Sequence, residues 1–201
     1  MVDLVVIALT FAAIFLVELP DKTFIATLVL STRFRPLLVW IGVGLAFTVQ
    51  TGIAVGLGKA ASFLPVTGVR VAAVLLFLAG AAILFRAARN ADAAEAETEE
   101  EFAERAGAPK QGLKAVGASF LVLFAAEWGD LSQLLTLSLV AKYDDPASVF
   151  VGALGALLAV SGLAVLVGRV LLSRIRLRTL HYLGGTMCLI LASITLYELL
   201  T

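Results

Sequence analysis

Long apolar runs make up most of this chain, and short polar breaks separate them. The runs cover 2–30, 37–58, 66–86, 113–141, 147–172 and 179–200. Each is near or above the ~20 residues that a helix needs to cross a bilayer. The pattern therefore predicts six transmembrane helices and an all-α integral membrane fold. The breaks fall at Arg33-Phe34-Arg35-Pro36, Pro65-Val66-Thr67-Gly68 and Asp144-Asp145-Pro146, where proline restricts the residue before it and ends helices. Residues 89–112 form a charged linker with acids at Asp92, Glu95, Glu97, Glu99, Glu100, Glu101 and Glu104. Its composition reads as a solvated, flexible connector. Trp40, Tyr143, Tyr182 and Tyr197 lie near the predicted helix ends, where aromatic rings favour the membrane interface.

Two polar islands interrupt the first and fourth runs near their middles. They are Glu18-Leu19-Pro20-Asp21-Lys22-Thr23 and Glu127-Trp128-Gly129-Asp130-Leu131-Ser132. A charge at mid-bilayer costs about 2.5–3.5 kcal/mol on the insertion scale, against a return of about 0.3–0.6 from each large aliphatic residue. Stability alone gives no reason to place four acids and a lysine there. Intramembrane carboxylates mark ion pathways, so the islands are the candidate functional site.

Glu18 and Asp21 are spaced i, i+3, as are Glu127 and Asp130, which puts each pair on one helix face. Two antiparallel helices crossing at these points would gather all four. Such an oxygen-rich nest suits hard divalent cations such as Mn²⁺, Ca²⁺ and Mg²⁺. No histidine or cysteine lies near either island, which argues against zinc or copper. Pro20 would kink its helix, and Gly129 at the same place permits local distortion. Either break would expose main-chain carbonyls, tolerated at depth where backbone lines a cavity. Thr23 and Ser132 lie five residues beyond the glutamates and point away from the acidic face of an ideal helix, so they join the site only through a distortion. Lys22 reads as a counter-ion to one acid. Gln50 and Gln133 are accessory candidates, as ligands or as hydrogen bonders between helices. Trp128 reads as packing or a gate wall, and His181 as an interfacial residue. Clustered carboxylates out of water also compete for protons. A site that holds either protons or a metal ion is the chemical basis of antiport.

The two halves of the chain match. At an offset of 109, Phe11, Phe15, Glu18, Asp21, Thr27, Leu28 and Leu30 fall on Phe120, Phe124, Glu127, Asp130, Thr136, Leu137 and Leu139. At 110, Gly42, Ala46, Gly52, Ala54, Val55 and Gly58 fall on Gly152, Ala156, Gly162, Ala164, Val165 and Gly168. The predicted organisation is a three-helix repeat at 1–88, the linker at 89–112 and a second three-helix repeat at 113–201. Halves with an odd number of spans lie antiparallel, and transporters built this way bind substrate near the midplane. The glycines of the second and fifth helices suit close helix contact.

Composition narrows the class. Hydrophobic residues make up 61% of the 201 positions and charged residues 15%, below the ~25% of a soluble domain. Net charge is zero, which disfavours nucleic acid as a partner. The lone Cys188 excludes an intrachain disulfide. The N-terminus lacks the basic region of a cleavable signal peptide. Arg33, Arg35, Arg86, Arg89, Arg105, Lys110, Lys114, Arg169, Arg174, Arg176 and Arg178 fall on one side of a six-span topology, and Lys59, Arg70 and Lys142 on the other. The positive-inside rule puts the linker in the cytoplasm and both termini outside a cell inner (plasma) membrane.

The doubled Glu-x-Gly-Asp-Lys/Arg-Thr/Ser motif resembles the signature of the Gdt-one family, also known as uncharacterised protein family sixteen. The resemblance spans the whole chain, with six spans in two halves around a charged loop. It implies a cation/proton exchanger of the kind linked to Mn²⁺ and Ca²⁺ transport in bacteria, chloroplasts and the Golgi. It assigns the ion site to Glu18, Asp21, Thr23, Glu127, Asp130 and Ser132. Pro20 stands where the family has glycine, and Leu131 where it has a basic residue. Neither change removes a candidate oxygen ligand, but the second makes the site more negative.

The sequence thus predicts a secondary transporter that exports Mn²⁺ from the cytoplasm against protons, with Ca²⁺ as the alternative substrate. It predicts no cofactor beyond the transported ion and the lipid bilayer as a further partner, and it leaves monomer and homodimer both open. Two other classes compete: a non-transporting membrane scaffold, and an intramembrane metal-dependent enzyme. The enzyme lacks a His-containing metal motif or a Ser/His pair.

Overall fold

A computed structural model describes residues 2–19, 21–61, 65–89, 91–174 and 177–200. Among the described residues there are nine helices and no strand. They are α1 (Leu4–Glu18), α2 (Lys22–Arg33), α3 (Pro36–Ala61), α4 (Val66–Ala87), α5 (Ala91–Ala106), α6 (Leu113–Ala126), α7 (Leu131–Tyr143), α8 (Pro146–Arg174) and α9 (Leu177–Leu200). Four unbroken stretches are long and apolar enough to cross a membrane: Pro36–Ala61, Arg70–Ala87, Pro146–Leu166 and His181–Leu200. Their outer surfaces carry exposed Ile41, Leu45, Val49, Leu75, Ile83 and Ile194, as a lipid-facing surface requires. The protein is an all-helical, multi-pass membrane protein.

The first and fourth predicted helices differ from their sequence reading. Each is two helices meeting at its polar island, with a bend of 71° between α1 and α2 and 72° between α6 and α7. None of the four pieces exceeds 15 residues, about 22 Å at 1.5 Å per residue. None therefore spans the ~30 Å hydrocarbon core alone, and six spans result when each bent pair is counted as one. In the second pair the backbone explains the break. Glu127 closes α6, Gly129 takes φ +73° and Asp130 is extended at φ −70°, ψ 161°. The left-handed conformation at Gly129 is open to glycine and strained for other residues. In the first pair Asp21 is extended at φ −83°, ψ 164°. The expected kink at Pro20 lies outside the described residues.

The helices interlock. α1 packs on α8, α6 on α3, and α3 and α8 on each other, while α4 pairs with α9. Two glycines set the closest approaches. A Cβ on Gly42 of α3 would overlap the Val116 carbonyl and lie 2.9 Å from Ser119 Cβ on α6. A Cβ on Gly152 of α8 would lie 2.7 Å from the Ile7 carbonyl oxygen and 2.8 Å from Thr10 Cβ on α1. The same glycine-on-backbone crossing thus occurs twice, at positions that the sequence alignment pairs. Trp40 ties α3 to α8, its Nε1 donating to the Leu158 carbonyl at 3.1 Å.

The linker is not a flexible connector. Its residues form α5, which packs against α2 and buries Phe102 and Ala106 while Glu99, Glu100, Glu101 and Glu104 stay exposed. Phe102, Ala103 and Ala106 share one helical face, enough of an apolar stripe to dock a charged helix. Arg33 at the end of α2 donates to the Gly107 carbonyl at 3.2 Å. The three basic residues assigned to the opposite side gather at the other end of the helices. Lys59 pairs with Asp144 at 2.7 Å, Lys142 with Glu198 at 3.1 Å, and Arg70 donates to the Glu198 carbonyl at 2.8 Å.

Candidate metal centre

The two breaks face each other inside the bundle. Carboxylate oxygens of Glu18, Asp21 and Glu127 lie within 4.8 Å of one another. Oxygen ligands on opposite sides of one Ca²⁺, each at about 2.3–2.6 Å, are about 4.6–5.2 Å apart. The three oxygens therefore lie within the span of a single hard cation. Glu18 is fully buried and Glu127 is 2% exposed. Glu18 is the last residue of α1 and Glu127 caps α6, so both sit where a helix presents its partial negative end. Oε2 of Glu18, Oδ2 of Asp21 and Oε1 of Glu127 are buried without a hydrogen-bond partner. Unpaired buried acceptors of this kind are costly in an apolar interior, and a bound cation would satisfy them.

The break also re-aims the hydroxyls. Thr23 sits in the first turn of α2 and donates to Glu18 Oε1 at 2.8 Å. Ser132 sits in the first turn of α7, its side chain buried beside Glu127 at the edge of the cluster. Thr23, set apart from the acidic face by ideal helix geometry, joins it because the helix is broken.

Asp130 stands slightly aside. Its Oδ1 is 3.1 Å from Lys22 Nζ, and its Oδ2 accepts from the Ser132 amide at 3.4 Å as the N-cap of α7. The four acids expected to act together are thus three in mutual reach and one held by the lysine. Lys22 is the counter-ion that the sequence suggested. Gln50 donates to the Phe124 carbonyl at 2.7 Å, and Gln133 accepts from the Gly129 amide at 3.1 Å. Trp128 is 58% exposed and packs edge-on to Phe124.

Two spaces adjoin the cluster. A cavity of about 220 Å³ is bounded by Asp21, Gly129, Asp130 and Leu131 and by Gly80 and Leu84 of α4. On the other side is a gap of about 10 Å³ bounded by Gln50, Glu127, Ser132, Gln133 and Thr136. The sequence reading missed Thr51 and Thr136, which line this gap, because a lone threonine in an apolar run carries no signal.

A family model described as "Divalent cation/proton antiporter GDT1" matches residues 6–92 and 115–201. The chain belongs to this family. Its members are transporters rather than enzymes. Protein PAM71, chloroplastic, from Arabidopsis thaliana is 29% identical over 96% of this chain and 57% of its own length. GDT1-like protein sll0615 from Synechocystis is 30% identical over 89% of this chain and 90% of its own length. GDT1-like protein 1, chloroplastic, from Oryza sativa subsp. indica is 31% identical over 96% of this chain and 62% of its own length. The chain thus spans about three fifths of the two plant proteins and nearly all of the cyanobacterial one. No solved structure matches it significantly.

Proposed function

We propose that this protein exports Mn²⁺ from the cytoplasm in exchange for protons, through a site made of Glu18, Asp21, Glu127, Thr23 and Ser132, with Asp130 held beside it by Lys22. The observation that carries this reading is the meeting of three buried carboxylates, within 4.8 Å of one another, at two helix breaks inside an apolar bundle. Membership in a family of divalent cation/proton antiporters supports it. The donor set is all oxygen, as hard divalent cations prefer.

Charge supports exchange. Three carboxylates against one divalent ion leave one negative charge, which a single proton cancels. The same oxygens cannot hold a full complement of protons and a metal ion together, so loading one releases the other. The 220 Å³ cavity at Asp21 and Asp130 supplies an approach to the cluster.

The halves 1–88 and 113–201 act as inverted repeats around the linker 89–112, and one rocks against the other. The reciprocal crossings of Gly42 on α6 and Gly152 on α1 support this organisation. So do the two family-matched stretches, which begin at 6 and at 115, the offset at which the islands align. Lys59, Arg70 and Lys142 gather at one end, opposite Arg33 and the linker. That separation supports an orientation with the linker in the cytoplasm and both termini outside the plasma membrane.

Proteoliposomes holding a pH-sensitive dye test the reading. Added Mn²⁺ should drive proton movement that disappears in Asp21→Asn and Glu127→Gln. A parallel Ca²⁺ trace ranks the two ions. Ion flux without proton movement would replace exchange with uniport, and absence of flux with either ion would remove the transport reading.

A further inference from the structure

The two glutamates of the candidate site are not held alike. The Thr23 hydroxyl donates to Glu18 Oε1, whereas Glu127 Oε1 is buried without a partner. Two glutamines stand beside it. Gln50 is 2% exposed, and its Nε2 donates to the Phe124 carbonyl. Gln133 Oε1 accepts from the Gly129 amide. In an unbroken helix that carbonyl would accept from residue 128 and that amide would donate to residue 125. Each glutamine therefore occupies a backbone group near the α6–α7 break, and its backbone partner fixes which way its amide points. Gln50 Oε1 is left as a free acceptor and Gln133 Nε2 as a free donor, both buried and unpartnered. Together with Glu127 they bound the 10 Å³ gap.

That set of groups has a definite complement. A bare cation would suit the two acceptors and be repelled by the amide N–H. A water molecule donates twice and accepts once or twice, and a space of about 10–15 Å³ with two to four polar partners is what one requires. We propose that Gln50 and Gln133 hold one water against Glu127, donating to Gln50 Oε1 and Glu127 Oε1 and accepting from Gln133 Nε2. Gln50 and Gln133 are then positioning residues for the cation site and act through Glu127. The device belongs to one half only. In the alignment, Gln50 falls on Val160 and Gln133 on Phe24, neither of which can bind water. Glu18 is set by a hydroxyl in direct contact and Glu127 through solvent, so two similar motifs form two chemically different walls. This inference rests on the ion-site reading above.

The test combines a structure and a cycle of variants. A cryo-EM or crystal structure of the full chain at a resolution that shows solvent should place one peak at hydrogen-bond distance from Gln50 Oε1, Gln133 Nε2 and Glu127 Oε1. This holds whether or not the protein transports any ion, so it separates failure of this inference from failure of the transport reading. In proteoliposomes, Gln50→Leu and Gln133→Leu should each raise the KM for Mn²⁺ about tenfold, the scale of leaving a buried polar group unpaired, with kcat little changed. The double variant should be no worse than either single one, because both remove the same water. If a variant fails to assemble, Gln50→Met and Gln133→Met repeat the cycle with closer shape. Additive effects, or a KM that does not move, would reduce the glutamines to caps of the helix break. A resolved gap without the solvent peak, or with a metal ion in it, would overturn the proposal.

Discussion

Thr23 donates its hydroxyl hydrogen to Glu18 across the break between α1 and α2, with 2.8 Å between the oxygens. Both residues are essentially inaccessible to solvent, so bulk water does not replace the hydroxyl if it is lost. Leaving such an acceptor unpaired costs about 1–3 kcal/mol. Thr23→Val, which keeps the shape, should lower the Tm of the purified protein and weaken transport. Thr23→Ser, which keeps the hydroxyl, should retain most of both. Equal losses in the two variants would show that the methyl packing matters and the hydrogen bond does not.

Lys22 and Asp130 form the one charged link between α2 and the N-cap of α7 described in the site. Lys22 is 39% exposed and Asp130 12%, so solvent screens the pair, and its coupling should be about 1 kcal/mol, or about fivefold in affinity. Lys22→Met should impair transport by leaving Asp130 uncompensated beside three further carboxylates. Lys22→Met with Asp130→Asn should recover part of that loss. A double-mutant cycle on the KM for Mn²⁺ measures the coupling, and strict additivity would show that the pair does not act as a unit.

The glycines divide by what surrounds them. Gly42 and Gly152 face backbone atoms of α6 and α1 at distances that exclude a methyl group, whereas Gly52 and Gly56 of α3 have open space where a methyl group would stand. Gly42→Ala and Gly152→Ala should each lose about 1–3 kcal/mol through overpacking. Gly52→Ala and Gly56→Ala should be neutral or slightly stabilising, since alanine is the better helix former. Thermal unfolding of the four variants in one detergent gives the comparison. Equal loss at all four would point to contacts with a second molecule at Gly52 and Gly56.

Much of this arrangement was legible in the chain. Hydropathy marks the spans, and the mid-span acids mark the candidate site, because a charge in hydrocarbon needs a partner or a purpose. The alignment of the halves pairs Gly42 with Gly152, and both touch backbone. What was not legible depends on the angle of the breaks. Thr23 reads as facing away from Glu18 on a straight helix, and only a bend of 71° returns it. Asp130 looks equivalent to Asp21 in sequence, but Lys22 has no basic counterpart at Leu131, so the lysine draws one acid aside. α5 was hidden because its stripe of Phe102, Ala103 and Ala106 is brief among seven acids, and periodicity over so short a face is weak.

The docked linker leads to a prediction of its own. Phe102 is 2% exposed beside the exposed Glu99, Glu100, Glu101 and Glu104. Phe102→Ser should release α5 from α2 and expose the Ala91–Ala106 backbone to cleavage. Limited proteolysis of the native protein should spare that segment, and the variant should be cut within it at a rate higher by about tenfold or more, since a buried phenylalanine contributes about 3–5 kcal/mol to docking. Rapid cutting of the native protein within the helix would restore the flexible connector.

A cation that fills the carboxylate cluster must also stabilise the fold, because the unfolded chain offers no assembled site. Binding to the native state alone adds RT ln(1 + [L]/Kd), or about 2.7 kcal/mol at a hundredfold excess over Kd. Mn²⁺ should therefore raise the Tm of the wild-type protein by several degrees. Glu18→Gln and Glu127→Gln should abolish the shift, each removing a carboxylate from the group that converges within 4.8 Å. Asp144→Asn, which alters a solvent-exposed acid paired with Lys59, should leave it intact. Protons compete for the same oxygens, so the Mn²⁺ concentration giving half the shift should rise as the pH is lowered. A shift that survives both glutamate substitutions, or that Asp144→Asn removes, would place the cation on the surface and not between the two breaks.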